Sequence, residues 1–88
     1  MAAARLEIYV DAGCRICARS AEIAADVRAT HRDVEVAVID LGGPGGEHRD
    51  LVVAAPTYIL NGRVISLGNP DRVELAREIA LAQGGAQA

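Results

Sequence analysis

Residues 9–20 read Tyr9-Val10-Asp11-Ala12-Gly13-Cys14-Arg15-Ile16-Cys17-Ala18-Arg19-Ser20, and they hold both cysteines of the 88-residue chain. Upstream, Leu6, Ile8 and Val10 alternate with Glu7 and Tyr9, the period-two pattern of a strand with one buried face. Downstream, Ile16, Ser20, Ile23, Ala24 and Val27 recur at helical spacing, while Arg15, Arg19, Glu22 and Asp26 occupy another face. This pattern predicts an amphipathic helix of about fifteen residues that ends near Thr30–Asp33. Val34–Ile39, rich in β-branched residues, reads as a second strand. A strand, a helix and a strand in so short a span form a βαβ unit, with parallel strands and a right-handed crossover.

The rest of the chain changes character. Gly42-Gly43-Pro44-Gly45-Gly46 lacks the Gly-Lys-Ser/Thr ending of a phosphate loop, and Pro44 removes an amide donor, so the run reads as a flexible connector. Glu47–Val53 has room for one or two helical turns. Pro56–Leu60 reads as a strand, Asn61-Gly62 as a two-residue hairpin turn, and Arg63–Leu67 as the antiparallel return. After Gly68, Asn69 suits a helix N-cap with Pro70 at the first helical position. Leu75, Ala76, Ile79 and Ala82 give that helix a core stripe, Gly84 ends it, and the remainder to Ala88 reads as a frayed tail. The expected architecture is α/β, in the order β-α-β-(α)-β-β-α. It is a single domain over residues 1–88, with a four-stranded mixed sheet and helices on both faces.

Composition narrows the functional classes. Half the residues, 51%, are hydrophobic, with no Trp or Phe and two Tyr, so the core is built from Val, Ile, Leu and Ala. The basic residues, nine and all Arg, are outnumbered by twelve acidic ones, for a net charge of −3. That balance argues against nucleic acid as a partner, which requires a basic surface and aromatic stacking platforms. No stretch approaches the ~20 apolar residues that span a bilayer, and the first residues lack the apolar core of a secretory signal. Both readings set the expectation of a cytoplasmic protein with no membrane partner. In that compartment a close cysteine pair points to redox or metal chemistry rather than a lasting structural bridge.

Cys14 and Cys17 sit where a strand hands over to a helix. The first helical turn carries unpaired N–H groups and the positive end of the dipole, which favour a thiolate at Cys14. Arg15 and Arg19 add positive charge, and Arg15 is the candidate support for that thiolate. Once Cys14 is joined to a partner as a mixed disulfide, Cys17 lies one turn away. It can displace the partner by closing an internal Cys14–Cys17 disulfide. The plainer alternative is that both cysteines are small core residues.

With these residues in place the chain resembles the thioredoxin-fold superfamily in its short glutaredoxin-like form. The resemblance spans roughly Leu6 to Gln83. It rests on Cys14-Arg15-Ile16-Cys17 after the first strand, Ala55-Pro56-Thr57 at the third, the Asn61-Gly62 hairpin, and the Gly68 turn before the last helix. It implies a cis Ala55–Pro56 bond beside Cys14, with the backbone of Ala55 pairing with an extended substrate and Thr57 beside it. It also implies thiol–disulfide exchange with a disulfide-containing protein or a low-molecular-weight thiol, no cofactor beyond the redox-active cysteine pair, and an external reductase or thiol as electron donor. The chain departs from the family in having no Trp before Cys14 and no Pro between the cysteines. The position of the family's buried acid falls at Ile8.

A second resemblance is to heavy-metal-associated domains, where the same Cys-x-x-Cys spacing opens a helix and two thiolates hold Cu(I). A chain ending in a helix and lacking Met before the first cysteine fits that pattern less well. A tetrahedral zinc site would need two further ligands, and His31 and His48 are poorly placed for it. His31 reads as a helix-end residue, His48 as a surface residue, and Tyr58 as core or sheet face.

Overall fold

The first strand, β1, spans Arg5–Val10, and four of its six residues are buried. This chain is described here over residues 4–84 by a computed structural model. The helix α1 follows at Cys17–Thr30, β2 at Glu35–Asp40, a single 3₁₀ turn at Arg49–Leu51, β3 at Thr57–Leu60, β4 at Arg63–Leu67, and α2 at Arg72–Ala82. The tail expected to fray lies outside the described residues apart from Gly84, whose N–H bonds back to the Leu81 carbonyl at 3.1 Å.

The sheet order is β2-β1-β3-β4. β1 and β2 are parallel, with Leu6 beside Val36 and Ile8 beside Val38. β1 and β3 are antiparallel, with Leu6 beside Leu60 and Ile8 beside Tyr58. The β3–β4 hairpin turns on Asn61 and Gly62, both at positive φ (50° and 82°), the conformation that makes Asn-Gly a favoured two-residue turn. Its register shifts between Tyr58 and Ile59.

One face of the sheet carries the main core. Leu6, Ile8, Tyr58 and Leu60 pack with Ile23, Ala24 and Val27 of α1 and Leu75 and Ile79 of α2. Burying a side chain of this kind contributes about 1.5–3 kcal/mol, so these aliphatic contacts hold both helices to the sheet. The helical stripe of α1 is as expected at Ser20, Ile23, Ala24 and Val27, whereas Ile16 is 51% exposed. It precedes the helix, between the two cysteines, and never joins the face that α1 buries. Ala76 of α2 is exposed, while Leu75 and Ile79 are buried and Ala82 packs partly buried against the core.

The other face overturns the expectation that β1 buries only alternate residues. Glu7 and Tyr9 are 1% and 0% exposed. β1 is flanked by β2 and β3, and the segment after β2 lies across its second face. The His48 N–H donates to the Tyr9 hydroxyl oxygen at 3.0 Å, and the Glu47 N–H donates to a Glu7 carboxylate oxygen at 3.3 Å. The glycine run is pinned rather than loose. Arg49 donates to the Gly45 carbonyl at 2.8 Å and also to the Leu41 carbonyl. At Gly46 the need for glycine is steric: a Cβ there would stand 2.5 Å from Tyr9 Cε2.

The second helix also starts differently from expectation. Asp71, not Asn69, is the N-cap of α2, accepting from the Val73 and Glu74 N–H groups at 2.7 and 3.3 Å. Pro70 therefore precedes the cap. The side chain of Asn69 is committed elsewhere.

Candidate functional site

The strand-to-helix junction is built by two short backbone bonds. The Cys14 N–H donates to the Asp11 carbonyl at 3.0 Å, and the Cys17 N–H to the Cys14 carbonyl at 3.4 Å. These tighten residues 11–17 into consecutive turns and deliver Cys17 as the first residue of α1. The two cysteines, both half-buried, are joined as a disulfide with their Cα atoms 5.4 Å apart. No side chain caps α1 at Ile16, and no acidic residue stands in its first turn. The positive end of the helix is thus left to the cysteine pair, the environment that favours a thiolate when the bridge is reduced. Arg15 is exposed beside Cys14. Arg19 is engaged by Glu22 at 2.9 Å, so its charge is already partnered.

The Ala55–Pro56 peptide bond is cis. Ala55 is half-buried, and Pro56 and Thr57 are buried. The Thr57 hydroxyl donates to the Ala54 carbonyl, so this side chain shapes the 54–57 turn rather than facing outward. The Pro56 carbonyl accepts from the Gly68 N–H at 2.8 Å. Gly68 has φ +92°, a conformation in which other residues are strained, although a Cβ would meet nothing within 4 Å.

The next residue completes the site. Asn69 Nδ2 donates to the Ile16 carbonyl at 2.9 Å, between the two cysteines. Its Oδ1 accepts from the Ser20 hydroxyl at 2.6 Å and from the Tyr58 hydroxyl at 2.8 Å. Burial pushes the Tyr58 phenol above its ordinary range, which keeps it a donor. The Gly68-Asn69 turn is therefore bonded both to the proline that precedes β3 and to the loop that holds the disulfide. Sequence reading found both halves of the site but not this link. The residue types were visible, but the pairing of Asn69 with donors 49 and 11 positions away was not.

A second polar cluster lies on the opposite face of β1. His48 Nδ1 is 2.7 Å from a Glu7 carboxylate oxygen, so His48 is a partner of a buried acid and not a free surface residue. Burial pushes the Glu7 carboxyl up, but the His48 hydrogen bond, the Glu47 N–H and the charges of His48 and Arg5 together hold it below the ordinary carboxylate value. Arg5 reaches Glu7 at 3.6 Å, Glu35 at 2.8 Å and Glu47 at 3.3 Å. Glu7, Glu47 and His48 bring their ligand atoms within 4.8 Å of one another, but Arg5 already supplies the positive charge that such a group attracts. His31 closes the far end of α1, a whole helix away from the cysteines.

No family model and no curated protein matches the sequence. Solved structures do match in shape. Thioredoxin from Fasciola hepatica superposes with a TM-score of 0.69 at 17% identity, covering 91% of this chain and 81% of that one. Thioredoxin O2 from Arabidopsis thaliana, in its oxidised state, gives 0.68 at 17% identity, covering 91% and 75%. The periplasmic thioredoxin SoxS from Paracoccus pantotrophus, in its reduced form, gives 0.66 at 26% identity, covering 94% of this chain and 98% of that one. The chain has the thioredoxin fold. Within that fold the Cys14–Cys17 disulfide stands at the junction of the first strand and first helix, and this thioredoxin-like arrangement supports a redox role. Among the described residues, no helix is long and apolar enough to cross a membrane.

Proposed function

We propose that this protein is a thiol–disulfide oxidoreductase, with Cys14 as nucleophile and Cys17 as resolving thiol. The observation that carries the reading is the Cys14–Cys17 disulfide at the uncapped N-terminus of α1. In the reducing direction the Cys14 thiolate attacks a substrate disulfide, forming a mixed disulfide and releasing the first substrate thiol. The Cys17 thiolate then attacks Cys14 Sγ. The internal disulfide closes, the mixed disulfide breaks, and the second substrate thiol leaves. Two electrons pass to the substrate, and an external dithiol or thiol restores the pair.

The rest of the site fits these steps. The positive end of α1 favours the Cys14 thiolate, and exposed Arg15 adds charge beside it. The Ala55 backbone, presented ahead of Pro56, offers an edge on which an extended substrate segment lies, and Thr57 holds the shape of that turn. Ile16 and Leu67, 51% and 66% exposed, supply apolar contact around it. Substrates are disulfide-containing proteins or low-molecular-weight disulfides. The reaction belongs to the cytoplasm, where close cysteine pairs serve exchange rather than permanent cross-linking.

The test is reduction of a protein disulfide with dithiothreitol as electron source. Cys14→Ser should abolish turnover, and Cys17→Ser, reduced beforehand and freed of dithiothreitol, should trap substrate as a mixed disulfide through Cys14. Full activity in both variants would refute the mechanism. Tight retention of Cu(I) by the dithiol, with no turnover, would move the two thiolates to metal carriage.

A further inference from the structure

We propose that Asn69 is a positioning residue for the redox pair, a carboxamide clip that holds the Cys14–Cys17 loop against the turn carrying Pro56. The proposal rests on the oxidoreductase reading and names a residue by which that site is tuned.

The clip is defined atom by atom. Ile16 lies between the cysteines, and its carbonyl accepts from Asn69 Nδ2 at 2.9 Å and from the Arg19 N–H at 3.1 Å. A carbonyl only accepts, so Nδ2 must face it; the two hydroxyls on the other side then donate to Oδ1. Those hydroxyls come from two separate elements, Ser20 of α1 and Tyr58 of β3, both residues 0% exposed. The amide is thus held at three points and cannot rotate without leaving a buried polar group unpaired. Its neighbour Gly68 fixes the other side through the Pro56 carbonyl at 2.8 Å. Adjacent residues in one turn therefore set the spacing between the cysteine loop and the proline wall.

The consequence falls on the dithiol form. A closed disulfide constrains residues 14–17 by itself. Once it is reduced, the Ile16 peptide keeps its place through Asn69 and the first turn of α1. An ordered loop presents the Cys17 sulfur to Cys14 with little entropy left to lose, so ring closure is favoured and fast. Removing the clip loosens the dithiol more than the disulfide. The internal disulfide then becomes harder to form, and mixed disulfides last longer.

The experiment equilibrates oxidised wild type and variants in buffers of reduced and oxidised glutathione, with free thiols and glutathione adducts counted by alkylation and mass. Asn69→Ala should lower the equilibrium constant for the internal disulfide about three- to tenfold, the worth of one net hydrogen bond. Tenfold corresponds to ~30 mV for this two-electron couple. The Cys14–glutathione adduct should rise in step. Asn69→Asp keeps both hydroxyl bonds but has no donor for the Ile16 carbonyl, so it should shift the constant at least as far while losing less thermal stability. Ser20→Ala, which leaves the Nδ2 bond intact, should stay within about twofold. Asn69→Ala and Asn69→Asp both within twofold of wild type, or Ser20→Ala shifting as far as Asn69→Ala, would overturn the clip while leaving the oxidoreductase reading intact. A wild type with no two-electron transition would overturn that reading, and the clip with it.

Discussion

The covered second face of the sheet can be tested by comparing two adjacent glycines. Gly45 and Gly46 have φ values of +107° and +96°, so alanine at either carries a backbone penalty of about 1–3 kcal/mol. At Gly45 the added Cβ meets nothing within 4 Å, and the penalty ends there. At Gly46 it would stand 2.5 Å from Tyr9 Cε2 and 2.7 Å from Tyr9 Oη. The Tyr9 ring is fully buried and cannot swing into solvent. Overpacking of this kind costs about 1–3 kcal/mol. Displacing the hydroxyl also loses the bond from the His48 N–H, about another 1 kcal/mol. Gly46→Ala should therefore be about 2–4 kcal/mol less stable than Gly45→Ala. For a domain this small that difference lowers Tm by a further ~10–25 °C. Urea unfolding of the oxidised proteins, followed by far-ultraviolet circular dichroism, measures both variants on one scale. Equal stabilities, within about 0.5 kcal/mol, would refute the packing of residues 45–48 against Tyr9.

Other consequences follow from single contacts. Glu7 has a carboxyl held below its ordinary value, so its stabilising contribution is present above the unfolded value of about 4.3 and lost as pH falls through the lower folded value. Wild type should lose stability more steeply than Glu7→Gln between about pH 5 and pH 3, and coincident acid-side slopes would exclude Glu7 as the cause. Ile79→Ala, which empties a fully buried position under the sheet, should cost about 2–5 kcal/mol in urea unfolding, and a loss below 1 kcal/mol would mean that α2 does not pack as described. Leu67→Ser, at a position 66% exposed, should leave stability within about 0.5 kcal/mol and slow the reduction of protein disulfides while sparing small ones; equal slowing of both would remove Leu67 from the substrate surface.

The parts of this molecule that were legible from sequence are those set by local rules. Alternation marked β1, three- and four-residue spacing marked α1, and Asn61-Gly62 fixed the hairpin, because each depends on residues within a few positions of one another. The cysteine spacing at a strand-to-helix junction located the reactive pair for the same reason. What alternation could not show is whether a second face is covered. Glu7 and Tyr9 are buried by a stretch around Gly46 and His48 that has no periodicity of its own. The start of α2 shows a related limit. Asn69 and Asp71 are both good N-caps, and the choice between them is made by Ser20 and Tyr58, whose hydroxyls claim the Asn69 carboxamide and leave the helix to Asp71. The exposure of Ile16 was hidden because its spacing matched the helix stripe although the helix begins one residue later.

The most direct measurement is a redox titration of the wild-type protein in thiol–disulfide buffers, with free thiols trapped by alkylation and counted by mass. One cooperative two-electron transition is expected, in which Cys14 and Cys17 gain or lose the label together, at a potential of about −180 to −270 mV. Thiols that never close an internal disulfide across that range, or that are labelled independently of each other, would contradict it.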